Sequence, residues 1–131
     1  MPNHFHALIY QRKSDAITKL FKSVITTYGM YFNKKYKRSG PLLQSRFKAS
    51  LINRDDYLMH ISRYIHLNPK NYKSWKFSSL PFYLGEKRAE WLKPQTILEL
   101  FDNQADYRNF IEDYEDHKHL LDEIRLELAD H

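Results

Sequence analysis

Two histidines, one tyrosine and one asparagine are the residues whose types and spacing could do chemistry in this sequence. His4 and His6 stand at i and i+2 around Phe5. Side chains alternate along an extended strand, so both imidazoles point the same way, roughly 7 Å apart along the rise. Two imidazoles so placed can reach one cation between them. Tyr64 lies on a stretch of helical spacing, and Asn68 follows at i+4, on the same side of that helix. A phenol can act as a nucleophile, but it ionises only near pH ~10, so it needs a base or a metal ion to do so. Each residue also has an ordinary alternative. Paired histidines are often surface or structural residues, a helical tyrosine is often core, and Asn68 is equally well placed as a helix C-cap. There are no cysteines, which excludes disulfides, thiolate zinc sites and cysteine nucleophiles. Any metal ion must sit on His, Asp, Glu, Asn or Gln.

Four elements would have to position these groups. His4 to Tyr10 alternates as a strand, with His4, His6, Leu8 and Tyr10 on one face and Phe5, Ala7 and Ile9 on the core face. Ser14 can cap a helix running to about Tyr36, with Ile17, Leu20, Phe21, Val24, Ile25, Tyr28 and Phe32 forming one buried stripe. After the basic turn Lys37-Arg38-Ser39-Gly40-Pro41, Phe47 to Ile52 reads as a second strand, entered through Gln44 and Arg46. Asn53 or Asp55 can cap the helix that carries Tyr64, which stops at about Leu67 because Pro69 biases Asn68 away from helical geometry. Leu58, Ile61, Ile65 and Leu67 form its apolar side, while Tyr57, His60, Tyr64 and Asn68 line another. Beyond an aromatic linker that begins at Trp75, short helices are expected over Pro94–Phe101, Asp106–Glu115 and His119–Leu128.

The chain is 131 residues long, which suits a small globular core, and its net charge of +5 is unevenly spread. Residues 1–76 carry 15 Lys/Arg against 3 Asp/Glu, and residues 77–131 carry 6 against 13. A basic N-terminal part attracts a polyanion, and ten tyrosines offer surfaces on which bases stack. No apolar run is long enough to cross a membrane and no signal peptide is evident, so the expected protein is soluble and cytoplasmic.

Three separated segments occur in order: Met1-Pro2-Asn3-His4-Phe5-His6, Gly40-Pro41-Leu42-Leu43-Gln44-Ser45-Arg46-Phe47 and Tyr64-Ile65-His66-Leu67-Asn68-Pro69. Together they resemble the single-tyrosine HUH transposases, and within them the REP-associated tyrosine transposase branch. The resemblance covers about residues 1–84 and leaves 85–131 as an acidic helical extension. It implies an α+β fold with a ferredoxin-like or RNA-recognition-motif-like antiparallel sheet. Family members place a strand, a helix and another strand ahead of the Met-Pro-Asn-His motif, where this chain begins, so the implied sheet is incomplete and a homodimer could supply the pairing.

The same resemblance implies Tyr64 as nucleophile and His4, His6 and Asn68 as ligands of Mg²⁺ or Mn²⁺. The activity implied is cleavage and rejoining of single-stranded hairpin DNA through a 5′-phosphotyrosine. Lys34, Lys35, Lys37, Arg38, Arg46 and Lys48 are the expected phosphate contacts. His60 and His66 read as surface histidines. Two other functions stay open: a hairpin-DNA binder without catalysis, and a remnant without function.

Overall fold

The computed structural model describes residues 4–43 and 46–114. The expected helix over His119–Leu128, the first three motif residues, and Gln44 and Ser45 lie outside them. Regular structure among the described residues is helical: α1 (Ala16–Tyr36), α2 (Asp55–Leu67), a 3-10 turn (Tyr72–Ser74), α3 (Leu80–Tyr83), α4 (Gln95–Leu98) and α5 (Gln104–Glu112). The chain divides into two compact units, one holding 4–7 with 49–114 and the other 8–43 with 46–48.

The expected α+β core with its ferredoxin-like sheet is not formed. No described residue lies in a paired strand, although 4–10 and 46–52 contain no helix either. Alternation marks a segment that could bury one face in a sheet, but a strand exists only through hydrogen bonds to a neighbour. Two short segments can make at most a two-stranded ribbon, which is marginal in water. The anticipated core face is accordingly wet: Ala7 is exposed, and Phe5 is 54 % exposed.

In the first unit α2 is the centre, packed against α4 and α5. Asp55 and Asp56 occupy its first turn, where carboxylates favour the positive end of the helix dipole. Its N-cap is Arg54, not Asn53 or Asp55, and no side chain caps it. Instead the Arg54 guanidinium forks onto the Asp56 carboxylate, with Nε and Nη2 at 3.1 and 2.7 Å. Of the predicted apolar side only Ile61 is fully buried; Leu58, Ile65 and Leu67 are half-buried. The core is completed by Leu80, Tyr83, Ile97, Tyr107 and Ile111, and it also takes in Ser62, Arg63 and His66. Residues on both sides of position 84 therefore share one packed unit. Asn103 caps α5 by accepting from the Asp106 N–H at 3.0 Å and donating to the Asp106 carboxylate at 2.7 Å. Gly85 has φ +73°, and a Cβ there would lie 2.7 Å from the Gln104 side chain, whose amide donates to the Tyr83 carbonyl.

The second unit is α1 with its flanking segments. The helix begins at Ala16 rather than after a Ser14 cap, and the Ile17 N–H donates to the Gln11 side chain at 3.3 Å. It closes at Lys37, which takes the left-handed conformation at φ 51°. The apolar stripe is present but not buried: no α1 residue is buried, and Leu20, Val24 and Tyr28 are about half exposed. A helix buries its stripe only against a second layer, and this unit contains no other regular element among the described residues.

Stability should therefore sit in the α2–α5 core. Ile111→Ala, at a position 2 % exposed, is expected to lower unfolding free energy by about 2–5 kcal/mol. Val24→Ala, at 51 % exposure, should change it by no more than about 0.5 kcal/mol. Urea denaturation followed by circular dichroism compares the two, and the opposite order would move the core elsewhere.

Candidate active site

His4 and His6 stand on a segment of the first unit without regular secondary structure, and their rings lie 5.3 Å apart, nearly perpendicular. His6 in turn lies 5.3 Å from the ring of Tyr64, edge to face. The structure thus brings together three of the four expected residues, with His6 at the centre. His4 is exposed, and His6 and Tyr64 are half-buried. The His6 Nε2 is a buried nitrogen with no hydrogen-bond partner among the described residues. Burial, with the charge of His4 adding to it, holds the His6 pKa below its ordinary value, so the ring favours its neutral, metal-binding form.

Asn68 is the C-cap of α2, one turn beyond Tyr64, and its N–H donates to the Tyr64 carbonyl at 3.0 Å. That role was the alternative to metal ligation, and the backbone fulfils it while leaving the side-chain oxygen available in type. Among the described residues no three His, Cys, Asp or Glu side chains gather as a metal site. A divalent ion would rest on the imidazole pair, with the remaining positions filled by an amide, water or phosphate oxygens. An unpartnered imidazole nitrogen beside a second histidine fits such an ion chemically.

The six expected phosphate contacts, Lys34, Lys35, Lys37, Arg38, Arg46 and Lys48, all belong to the second unit and are all exposed. Four of them surround the C-terminal end of α1, where cations favour the helix dipole. The Lys35 ammonium lies 5.6 and 5.5 Å from the Tyr31 and Tyr36 rings, and the Arg38 guanidinium 5.7 Å from Phe32.

The histidine expected at the surface, His66, is instead buried. His66 is 2 % exposed and bonded through both ring nitrogens. Its Nδ1 meets the Tyr107 hydroxyl at 2.8 Å, and its Nε2 meets the Ser79 hydroxyl at 2.8 Å. Tyr107 donates its proton to Ser62 at 3.2 Å, and Ser62 donates to the Met59 carbonyl at 2.7 Å. These directions fix the rest. Tyr107 must accept from His66, so the proton sits on Nδ1, and Nε2 accepts from Ser79. A single-direction relay thus runs Ser79–His66–Tyr107–Ser62–Met59, in which each hydroxyl or ring donates once. Burial pushes the His66 pKa down to about 4, consistent with a neutral ring, and pushes the Tyr83 and Tyr107 phenols up.

Arg63, beside Tyr64 in sequence, is fully buried. Its guanidinium lies 4.2 Å from the Phe110 ring centroid and donates to the Phe110 carbonyl at 3.2 Å and to His60 Nδ1 at 3.0 Å. His60 is half-buried and accepts at Nδ1, so its own proton is on Nε2. The signal that could have found His66 was the pair Ser62 and His66 at i, i+4, adjoining Ile61 and Ile65. Its partner Tyr107 lies 41 positions away, beyond any periodicity.

The relay carries a pH prediction. The unfolded chain binds a proton at His66 near pH 6.5, the fold only near pH 4. As pH falls through that window the unfolded state gains protons first, so stability declines between pH 6.5 and 4 and levels off below. The decline attributable to His66 should be on the order of 3 kcal/mol. Urea titrations of the native chain and His66→Gln across pH 7.5 to 4 isolate it; parallel profiles would show that His66 does not enter the core neutral. Comparison of the chain with protein-family models, with curated proteins and with solved structures finds no match.

Proposed function

We propose that this protein cleaves and rejoins single-stranded hairpin DNA through Tyr64, as a transposase-like enzyme of the single-tyrosine HUH kind. The observation that carries the reading is the His4–His6–Tyr64 cluster: rings 5.3 Å apart in both steps, with an unpartnered nitrogen at its middle. His6 and Tyr64 meet within one chain, which favours a nucleophile acting beside its own histidines. The order of the three sequence motifs adds to it, as does the excess of Lys/Arg over residues 1–76.

In the proposed reaction the Tyr64 hydroxyl loses its proton to solvent and its oxygen attacks the scissile phosphorus. The bond from phosphorus to the 3′ oxygen breaks, and that oxygen leaves with the electron pair and takes a proton. The products are a free 3′-hydroxyl and a 5′-phosphate esterified to Tyr64. Attack by a second 3′-hydroxyl reverses the step and joins a new strand without a nucleotide triphosphate. A divalent cation such as Mg²⁺ or Mn²⁺, held by His4, His6 and Asn68, would offset the charge that develops on the phosphoryl oxygens. The implied fold of this family is not retained in the reading, since the described residues form no sheet.

A second reading, a hairpin-DNA binder without catalysis, is favoured by the same correction. The histidine segment is not part of a sheet among the described residues, and catalytic groups need a rigid support.

Incubation with labelled hairpin DNA and Mn²⁺, then denaturing electrophoresis and peptide mass spectrometry, separates the two. The expected result is a DNA adduct on Tyr64, absent in Tyr64→Phe and with chelator, and reduced roughly 10²-fold in His6→Ala. Hairpin binding with no adduct in any metal would establish the second reading.

A further inference from the structure

The first unit carries a surface that the cluster around Tyr64 does not use. From Asp56 to Glu86 the sequence holds no acidic residue between the two, while Lys70, Lys73 and Lys76 recur every third position. Aromatic residues interleave them: Tyr72, Trp75 and Phe77. All three lysines are exposed. Phe77 is 87 % exposed, and its ring meets Trp75 edge to face at 5.9 Å. Lys73 lies 5.8 Å from the Tyr72 ring.

The segment is held at both ends and turned tightly between them. It starts after the buried Pro69 that follows α2 and passes through the 3-10 turn, where Ser74 and Trp75 N–H groups donate to the Asn71 and Tyr72 carbonyls at 3.0 and 3.4 Å. It ends at Ser79, bonded to His66, and Leu80, in the core. An apolar ring this exposed gains nothing for the fold, and although Lys73 shares a hollow with Glu86 and Glu112, Lys70, Lys73 and Lys76 place three like charges within seven positions that hold no acidic residue. Both features are offset together by one ligand class, a polyanion that also carries flat aromatic faces. Bases stack on exposed aromatic rings while lysines track the phosphates, and duplex DNA, with its bases already stacked, cannot use the rings. Trp91, exposed like Phe77 but following Glu90, lacks the combination.

We infer that Lys70–Phe77 is a stacking platform for single-stranded DNA, with Phe77 taking a base, Trp75 fixing the Phe77 ring, and Lys70, Lys73 and Lys76 binding the phosphates. The choice of DNA rests on the function proposed above; the stacking and charge argument does not.

The test uses full-length Tyr64→Phe protein with chelator present, so that only reversible binding is read. Fluorescence anisotropy follows a labelled dT12 strand, the same length of abasic strand, a dT12·dA12 duplex and rU12. The expected order has dT12 tighter than both the abasic strand and the duplex. Phe77→Ala should weaken dT12 about tenfold and leave the abasic strand within about twofold. Replacing the three lysines with glutamine should lower the slope of log affinity against log salt by about 2. Trp91→Ala should change nothing beyond about twofold on the same scale. The Phe77, Trp91 and lysine substitutions are at exposed positions, and circular dichroism checks the helices. Equal affinity for dT12 and the abasic strand, or an unchanged Phe77→Ala, overturns the platform. A strong preference for rU12 overturns its assignment to DNA. Failure here leaves adduct formation on Tyr64 untouched, and failure of the adduct leaves this binding result standing.

Discussion

The buried imidazole of His66 is the interaction on which the first unit depends. It ties three elements with two hydrogen bonds: α2, which carries it, α5 through Tyr107, and the start of α3 through Ser79. Burying a polar ring is unfavourable unless every donor and acceptor is met. The relay meets them with one consistent set of proton positions, ending on the Met59 carbonyl one turn back in α2. The helix geometry then does the rest. At 3.6 residues per turn, positions two apart point about 200° from each other. Turning His66 into the core therefore turns Tyr64 outward, where its ring meets His6. The candidate nucleophile is oriented from behind, by a residue that never approaches the reacting atoms.

Arg63 shows the same arrangement working on charge. A guanidinium with no exposed surface would be costly without partners. It gains a carbonyl, an imidazole and an aromatic face, all but one of its nitrogens being matched. Burial pulls its pKa down while the charge of Asp113 opposes the shift. With His66 and Arg63 both turned inward, the buried side of α2 is more polar than its apolar residues suggest. Leu58, Ile65 and Leu67 stay half-buried, while three of the four buried positions on α2, Ser62, Arg63 and His66, are polar and only Ile61 is aliphatic.

How much could be read from the sequence follows from the range of each interaction. The helices over Ala16–Tyr36 and Asp55–Leu67 were legible because helical periodicity is a local property, and the short helices expected over 94–101 and 106–115 correspond to Gln95–Leu98 and Gln104–Glu112. The caps were misplaced by one position or more, because Arg54 and Gln11 act through side-chain reach rather than residue type. Alternation placed His4 and His6 on one face of a strand that is not formed among the described residues, and the approach of His6 to Tyr64 was expected only through the motif order. The sheet was not legible as absent, since alternation shows which face a strand would bury but not whether a neighbour pairs with it. His66 was misread because its partners come from 13 and 41 positions away.

The two functional readings differ in one physical quantity, the rigidity of the histidine segment. Tyr64 is fixed by a packed helix, whereas His4 and His6 sit on a stretch that forms neither helix nor sheet among the described residues. Ligands on such a stretch must lose conformational freedom when they close on a cation, roughly 1–2 kcal/mol for each residue ordered. Metal binding to such a segment is coupled to its ordering, so affinity for the ion and order in residues 4–7 rise together. In the proposed site the unpartnered His6 nitrogen would supply part of the driving force, because a buried acceptor without a partner is itself unfavourable and a cation would remove that penalty. A phosphate held beside Tyr64 would add oxygen ligands and charge to the same pocket of interactions. Substrate and metal would then bind cooperatively, each lowering the ordering cost that the other meets. On this argument the absence of a sheet weakens the resting site more than the substrate-bound one.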